Sequence, residues 1–274
     1  MSIRTDLISE IKSESPHNLS GIETKEEQIS DVNISTIKIV TNLASLNIGK
    51  PKGTYCTISF PRLDFVCDTE SIICATIKTL KSIIPQNFES ALVVGLGNAD
   101  ITPDALGPSV CNRVLATRHI SDKLKRDLGL DGLKSVSVIT PNVLGKTGIE
   151  SCDLITAAST KTSPDIVLVV DALACRESKR LCRTIQISSS GICGGSGVNN
   201  ARKPLSKETI GIPVIAIGVP TVIDANSFFD SSENMMVTPK EIDLLVDKAA
   251  DIISRAINLF LQPEIDRETI ESLT

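Results

Sequence analysis

Two aspartates stand where an α/β protein gathers its chemistry. Asp104 lies in the loop after the apolar run Ala91–Leu96, and Asp171 closes the most apolar run of the chain, Ile166–Val170. In open α/β sheets, functional groups collect in loops beyond the carboxyl ends of the strands. If these two runs are neighbouring strands, both carboxylates face one crevice. A close pair of carboxylates can share a proton, because like charges a few ångströms apart do not both ionise easily. The ionised member can activate water while the protonated one polarises a carbonyl or protonates a leaving group. That is the logic of aspartic-type peptide hydrolysis. Each residue also has a structural alternative. Asp104, after Thr102-Pro103, could cap a helix beginning near Leu106, and Asp171 could cap its own strand-to-helix turn.

Other candidates carry weaker signals. The eight cysteines include no CxxC pair and no Cys/His cluster with zinc spacing. They read as buried small hydrophobes or surface thiols. A nucleophilic Cys would need a base, and of the two histidines only His119 lies outside the polar leader. His119 ends a helix, where it suits the helix dipole as well as a site. Glu150 begins a helix, where an acid is also favoured electrostatically. GLGN at 95–98 lacks the third glycine of a dinucleotide fingerprint, because Asp100 occupies that position. The stretch 191–200 carries glycines at 191, 194, 195 and 197. Such a loop could cradle an anion, approach a substrate backbone closely, or simply be flexible.

The elements that must position these residues alternate. Ile34–Val40 and Thr54–Phe60 read as strands, with a turn at 49–53. Thr69–Ile84 reads as a helix, since Ile73, Ile77, Leu80 and Ile84 share one face. Strands are predicted at Ala91–Leu96, Val136–Ile139, Ile166–Val170, Arg183–Ser188 and Val214–Ile217. Helices are predicted from Gly107 to Arg118 and from Ile149 to Ala158. Thr238, Pro239 and Glu241 resemble a capping box opening a C-terminal helix whose face is Ile242, Leu245, Ala249, Ile252, Ala256 and Phe260. This alternation predicts an α/β fold, three-layered, with a mostly parallel central sheet. Residues 1–32 read as a polar leader or flexible arm with a weak helical pattern at Leu7, Ile8 and Ile11.

Composition narrows the function. A chain of 274 residues can bury a sizeable core without disulfides or metal, and no internal repeat or linker divides it. The 28 basic against 33 acidic residues argue against general nucleic-acid or anionic-membrane binding. With no tryptophan and one tyrosine, stacking on bases has few candidates. No apolar run is long enough to span a bilayer, and the N-terminus has no signal-peptide core, so a cytoplasmic location is expected.

Several segments, in order, resemble the germination protease family of spore-forming bacteria. They are VVGLGNADITPDALGP (93–108), TRH (117–119), TGIE (147–150), PDIVLVVDALACR (164–176), TIQIS (184–188), GSGVNNARK (195–203), GIPVIAIGVPTVIDA (211–225) and NMMVTPKEID (234–243). The resemblance implies a hydrogenase-maturation-protease-like fold and an aspartic-type endopeptidase needing no cofactor and no metal. It puts the essential aspartates at Asp104 and Asp171, and Gly195, Gly197, His119 and Glu150 stand beside them as candidate substrate contacts. It further implies small acid-soluble spore proteins as substrates, cut after Glu or Asp early in germination. A homotetramer made as a zymogen in the forespore or spore core is implied as well.

The leader fits this resemblance. Thr5-Asp6-Leu7-Ile8-Ser9-Glu10 is similar to the family's Thr-Glu-(Phe/Ile)-Ala-Ser-Glu cleavage context. Self-cleavage between Asp6 and Leu7 is expected, leaving residues 1–6 as a propeptide and 7–274 as one peptidase domain. The chain departs from the family pattern at Asn142, where a glycine is usual, and in the glycine loop at Cys193-Gly194 and Asn199. It is also shorter than some family members before NMMVTPKE, where SSE at 231–233 bridges the gap. Two alternatives stand beside the endopeptidase: a metal-assisted maturation endopeptidase of related fold, and a non-catalytic peptide-binding protein.

Overall fold

Three segments that are apolar at nearly every position, ALVVG, IVLVVDALAC and VIAIGVPTVID, lie side by side in the sheet, because such runs need burial on both faces. A computed structural model describes residues 5–13, 20–63, 69–127, 129–130, 132–193, 203–227 and 235–273. Its strands are β1 (Ile22–Ile29), β2 (Val32–Ile39), β3 (Gly53–Ser59), β4 (Ser90–Gly95), β5 (Ser135–Ile139), β6 (Ile166–Cys175), β7 (Thr184–Ser188), β8 (Val214–Asp224) and β9 (Met236–Val237). They form one sheet in the order β1-β2-β3-β7-β8-β6-β4-β5, with β9 paired to β8.

The helices are α1 (Ile8–Ser13), α2 (Asn42–Ile48), α3 (Glu70–Ile83), α4 (Leu106–Cys111), α5 (Asp122–Asp127), α6 (Leu144–Thr147), α7 (Ser151–Thr162), α8 (Lys207–Ile210), α9 (Ile242–Leu261) and α10 (Arg267–Leu273). α3, α4 and α9 cover one face of the sheet through Ile73, Leu80, Val110, Ile252, Ile253 and Phe260. On the other face α7 packs on β4 and β6 through Cys152 and Ile155. α1 and α2 pack there on β2 and β3 through Ile8, Ala44 and Ile48. The chain is therefore three-layered α/β/α. Among the described residues no helix is long and apolar enough to cross a membrane.

The parallel character belongs to one half of the sheet. β8, β6, β4 and β5 are parallel. β1, β2, β3 and β7 pair antiparallel, up to and including the β7–β8 junction. Connection length explains the split. β1 and β2 are joined only by Ser30 and Asp31, with Ser30 at φ 53°, and a parallel pair would need a crossover of about a dozen residues. In the parallel half the chain passes from β4 to β5 on one side, whereas β6 is followed outward by β8 on the other. The carboxyl ends of β4 and β6 thus flank a topological switch point, where α/β sheets open a crevice.

Four expectations are corrected. Asp171 does not close its strand, because β6 runs on to Cys175, paired with β8 along this length. The helix expected to reach Arg118 ends at Cys111. The Asn258 side chain of α9 takes the Arg113 carbonyl and the Leu115 N–H, and Thr117 is drawn onto the start of β5 by bonds to Lys134 and Val136. The capping box at Thr238 does not form. β9 pulls this segment onto the sheet, the Thr238 hydroxyl donates to the Thr221 carbonyl at 2.8 Å, and α9 starts at Ile242. The leader is no loose arm over residues 5–13, where Leu7 and Ile8 are fully buried, and residues 22–29 form the edge strand β1.

Asp165 fastens the amino ends of β4 and β6. Its carboxylate accepts the N–H groups of Glu89 and Ser90 at 2.9 and 2.8 Å and the Ser90 hydroxyl at 2.8 Å. These bonds, the Glu89 N–H foremost, hold its carboxyl below the usual range. Asp165→Ala should lower stability by about 0.5–1.5 kcal/mol at neutral pH, as measured by urea unfolding. A depressed folded pKa adds stability above the unfolded value, about 3.9, that is lost as pH falls through the folded value. The gap between wild type and variant should therefore narrow in acid.

Candidate active site

The loop that carries Asp104 is built by close backbone approaches. Beyond β4 the chain turns at Gly97, at φ 109°, where an added Cβ would lie 2.0 Å from the Asp104 carbonyl oxygen. Residues Thr102–Asp104 form a single 3-10 turn, closed by the Asp104 N–H on the Ile101 carbonyl at 2.8 Å. One Asp104 carboxylate oxygen accepts the Asn98 N–H at 2.8 Å. From β8 the Thr221 hydroxyl donates to the Pro103 carbonyl at 2.6 Å and pins the loop. Asp104 does not cap α4, whose first residue follows Ala105 with no side-chain cap bond.

Asp171 sits within β6, one residue past the last position paired with β4, Val170. It is only 7% exposed, and its carboxylate accepts the N–H of Ala172 at 2.9 Å. It caps no helix. Asp104 and Asp171 line one cavity of about 400 Å³, together with Glu150 and Asp6. The sequence-derived crevice is therefore present, with both carboxylates on its wall. Glu150 comes from the start of α7 and makes no side-chain cap bond there. Lys203, also on the wall, donates to Asp153 at 3.1 Å.

His119 is not brought to this site. It is exposed, and the N–H groups of its neighbours Thr117 and Arg118 bond to Val136 at the amino end of β5, away from the carboxyl ends of the strands. Among the described residues, His119 therefore forms no Cys–His pair at the cavity. Burial pushes the Cys111 thiol up to about 12 and raises that of Cys175, with the Glu10 charge adding to the latter. Gly195 and Gly197, with the altered positions Gly194 and Asn199, lie outside the described residues. The ends of that loop are joined by Ile192 and Leu205, which exchange N–H···O bonds of 2.9 and 2.7 Å beside the cavity.

Asn142 lines the cavity in a left-handed conformation, φ 64°. Asn tolerates this region better than other non-glycine residues, and its own side-chain oxygen accepts the Val143 N–H at 2.8 Å. The turn is thus kept despite the departure from glycine. Asn142→Gly should leave stability nearly unchanged, whereas Asn142→Val should cost about 1–2 kcal/mol in urea unfolding.

The leader lies in the same site. The Asp6 N–H donates to the Ala174 carbonyl at 3.0 Å, and the Ala174 N–H donates to the Asp6 carboxylate at 2.9 Å. Leu7 packs against Leu173, Cys175 and Ile223, and Ile8 against Ile37, Ile39 and Tyr55. Each buried side chain of this size stabilises by about 1.5–3 kcal/mol. Glu10, 3% exposed, accepts the N–H groups of Arg176 and Glu177 at 2.9 and 2.8 Å and the Thr5 hydroxyl. Asp6 also faces Lys50. Burial lowers the pKa of that ammonium, and the Asp6 charge counters the shift.

Reasoning from sequence missed Gln186, a buried amide on β7 that contacts the leader at two points. Its one signal is a polar residue at an inward position of the apolar strand TIQIS. It also missed Gly97 and Asn98, whose roles depend on where Asp104 folds back.

The profile of the germination protease family (peptidase A25) matches residues 4–232. A germination protease of Clostridium tetani is 37% identical over 322 aligned positions, covering 99% of this chain and 99% of that protein. One from Caldanaerobacter subterraneus subsp. tengcongensis is also 37% identical, covering 100% and 98%. One from Priestia megaterium is 33% identical over 362 positions, covering 100% and 97%. Both alignment lengths exceed the 274 residues of this chain, so those relatives carry additional segments. Among solved structures, a [NiFe] hydrogenase maturation protease of Thermococcus kodakarensis is 18% identical, covering 67% of this chain and 98% of its own, with a TM-score of 0.40. That likeness is too loose to carry an argument. The sequence relatives are not, and with a profile match over most of its length the chain belongs to the germination protease family and is a protease.

Proposed function

We propose that the chain is a self-processing endopeptidase that cuts small acid-soluble spore proteins after acidic residues during germination, with Asp104 and Asp171 as its catalytic pair. The observation that carries this reading is Asp6. The acidic residue of a substrate-like leader lines the same cavity as both aspartates, in a chain of this family. Residues 1–6 then form the propeptide, and 7–274 the peptidase domain.

In the chemistry proposed, one aspartate, ionised, takes a proton from a water molecule whose oxygen adds to the carbonyl carbon of the scissile bond. The other, protonated, supports the developing charge and gives its proton to the departing amine. The C–N bond breaks, and an acid and an amine remain. An unfolded substrate could place its backbone along the open edge of β6, as Asp6 does. The proposal keeps the homotetramer and the spore-core location that the family resemblance implies.

The test is incubation of the full chain and of a Leu7-start protein with a small acid-soluble spore protein, with all termini read by mass spectrometry. Expected are a new N-terminus at Leu7 and cuts after Glu or Asp in the substrate, unchanged by a chelator. Loss of activity on chelation would favour the metal-assisted alternative. Absence of any cut would favour peptide binding without catalysis.

A further inference from the structure

Gln186 holds both sides of the bond expected to break. Its Nε2–H donates to the Asp6 carbonyl oxygen at 3.1 Å, and its Oε1 accepts the Ile8 N–H at 2.8 Å. One side-chain amide thus brackets Leu7 as a neighbouring β-strand would, fixing the chain on each side of the Asp6–Leu7 bond. Gln186 opposes Gly218 on β8, and Gly218 opposes Asp171 on β6. Directly opposed residues project to the same face of a sheet. The amide and the Asp171 carboxylate therefore rise from one row on the same face, two strands apart. Leu173 packs over Gly218, where an added Cβ would lie 2.6 Å from its side chain, so the middle of the row is apolar. Gln186 is 9% exposed, so its amide acts where water competes little.

We propose that Gln186 binds the carbonyl oxygen of the scissile peptide and sets the register of the cut, in the leader first and, once Leu7 and Ile8 have moved off the amide, in the substrate afterwards. Its donor is already aimed at the oxygen that gains negative charge when water adds to the carbonyl. A preformed donor in a water-poor site strengthens as that charge develops. Its acceptor fixes the second residue after the cut, so the chain cannot slide by one position without losing both bonds. This rests on the endopeptidase reading above, and it adds a group that the two aspartates do not supply.

The experiment uses the Leu7-start protein and a peptide carrying Thr-Glu-Ile-Ala-Ser-Glu, with Gln186→Glu and Gln186→Ala as variants. Gln186→Glu keeps the acceptor and replaces the donor by a carboxylate oxygen. Its expected effect is a fall in kcat of about 10²–10³-fold with little change in KM. Gln186→Ala should lower kcat and also scatter the cut sites. A second arm needs no variant: methylating the peptide nitrogen of the second residue after the cut should slow wild type at least about tenfold, because that N–H meets Oε1. Cleavage by wild type with unchanged kcat in Gln186→Glu, or full tolerance of the methylated peptide, overturns the role of Gln186. No cleavage by wild type overturns the endopeptidase reading itself and the inference with it. Thermal unfolding of each variant separates a lost bond from a lost fold, and the methylated peptide decides the matter should either variant fail to fold.

Discussion

Asp171→Asn should abolish peptide cleavage while leaving the fold in place, and Asp104→Asn should do the same. The amide oxygen of Asn can still accept the Ala172 N–H at position 171 and the Asn98 N–H at position 104. At position 171, only 7% exposed, a neutral group also avoids the burial of a charge. Stability should therefore stay within about 1 kcal/mol of wild type. Catalysis should not. An amide neither takes a proton from water nor gives one to an amine, and general acid–base catalysis accounts for roughly 10²–10⁴-fold in rate. Fragment yields with time, beside thermal unfolding curves, measure both quantities. Two stable variants cutting within a few-fold of wild type would remove the carboxylates from the chemistry.

Gly97→Ala should damage both stability and cleavage. At φ 109° a side chain is strained by about 1–2 kcal/mol even in open space. Here space is also absent, because the Cβ would sit 2.0 Å from the Asp104 carbonyl oxygen, an atom of backbone that cannot swing aside. The loop must shift as a unit, and Asp104 moves with it. A displacement of about 1 Å at a catalytic group can cost 10²-fold in rate. The expected result is a loss of at least about 2 kcal/mol in urea unfolding together with at least about a 10²-fold loss of cleavage. An Ala variant with wild-type stability and activity would mean the turn at Gly97 is not needed to place Asp104.

These two predictions differ in how far the sequence foretells them. Asp104 and Asp171 are visible as acids after apolar runs, and the runs are visible because strands buried on both faces must be apolar throughout. Gly97 is visible only as part of GLGN, since its neighbour in space is seven residues on. Edge strand β1 left no trace. Its sequence, IETKEEQI, is wet along most of its length, so no apolar alternation marks it, and its charges guard an exposed edge. The early end of α4 was hidden because Asn258, from α9, does the unwinding. The same local refolding carries His119 to the far end of the sheet.

What the sequence by itself determined are properties local to short stretches: which segments are apolar enough for the sheet centre, that the architecture is α/β, which carboxylates follow apolar runs, and that the leader carries a cleavage-like acidic context. Only the tertiary structure decided which of these meet. Strand order brings β4 beside β6 and so Asp104 and Asp171 to one cavity. The open edge of β6 beyond Val170 takes up Asp6, and Leu7 and Ile8 become core despite a polar setting in sequence. The row Gln186–Gly218–Asp171 joins residues from three strands. The physical reason is that backbone pairing and burial on two faces act between segments far apart in the chain. Periodicity reports only what each segment needs, and the pairing of strands decides which partner supplies it.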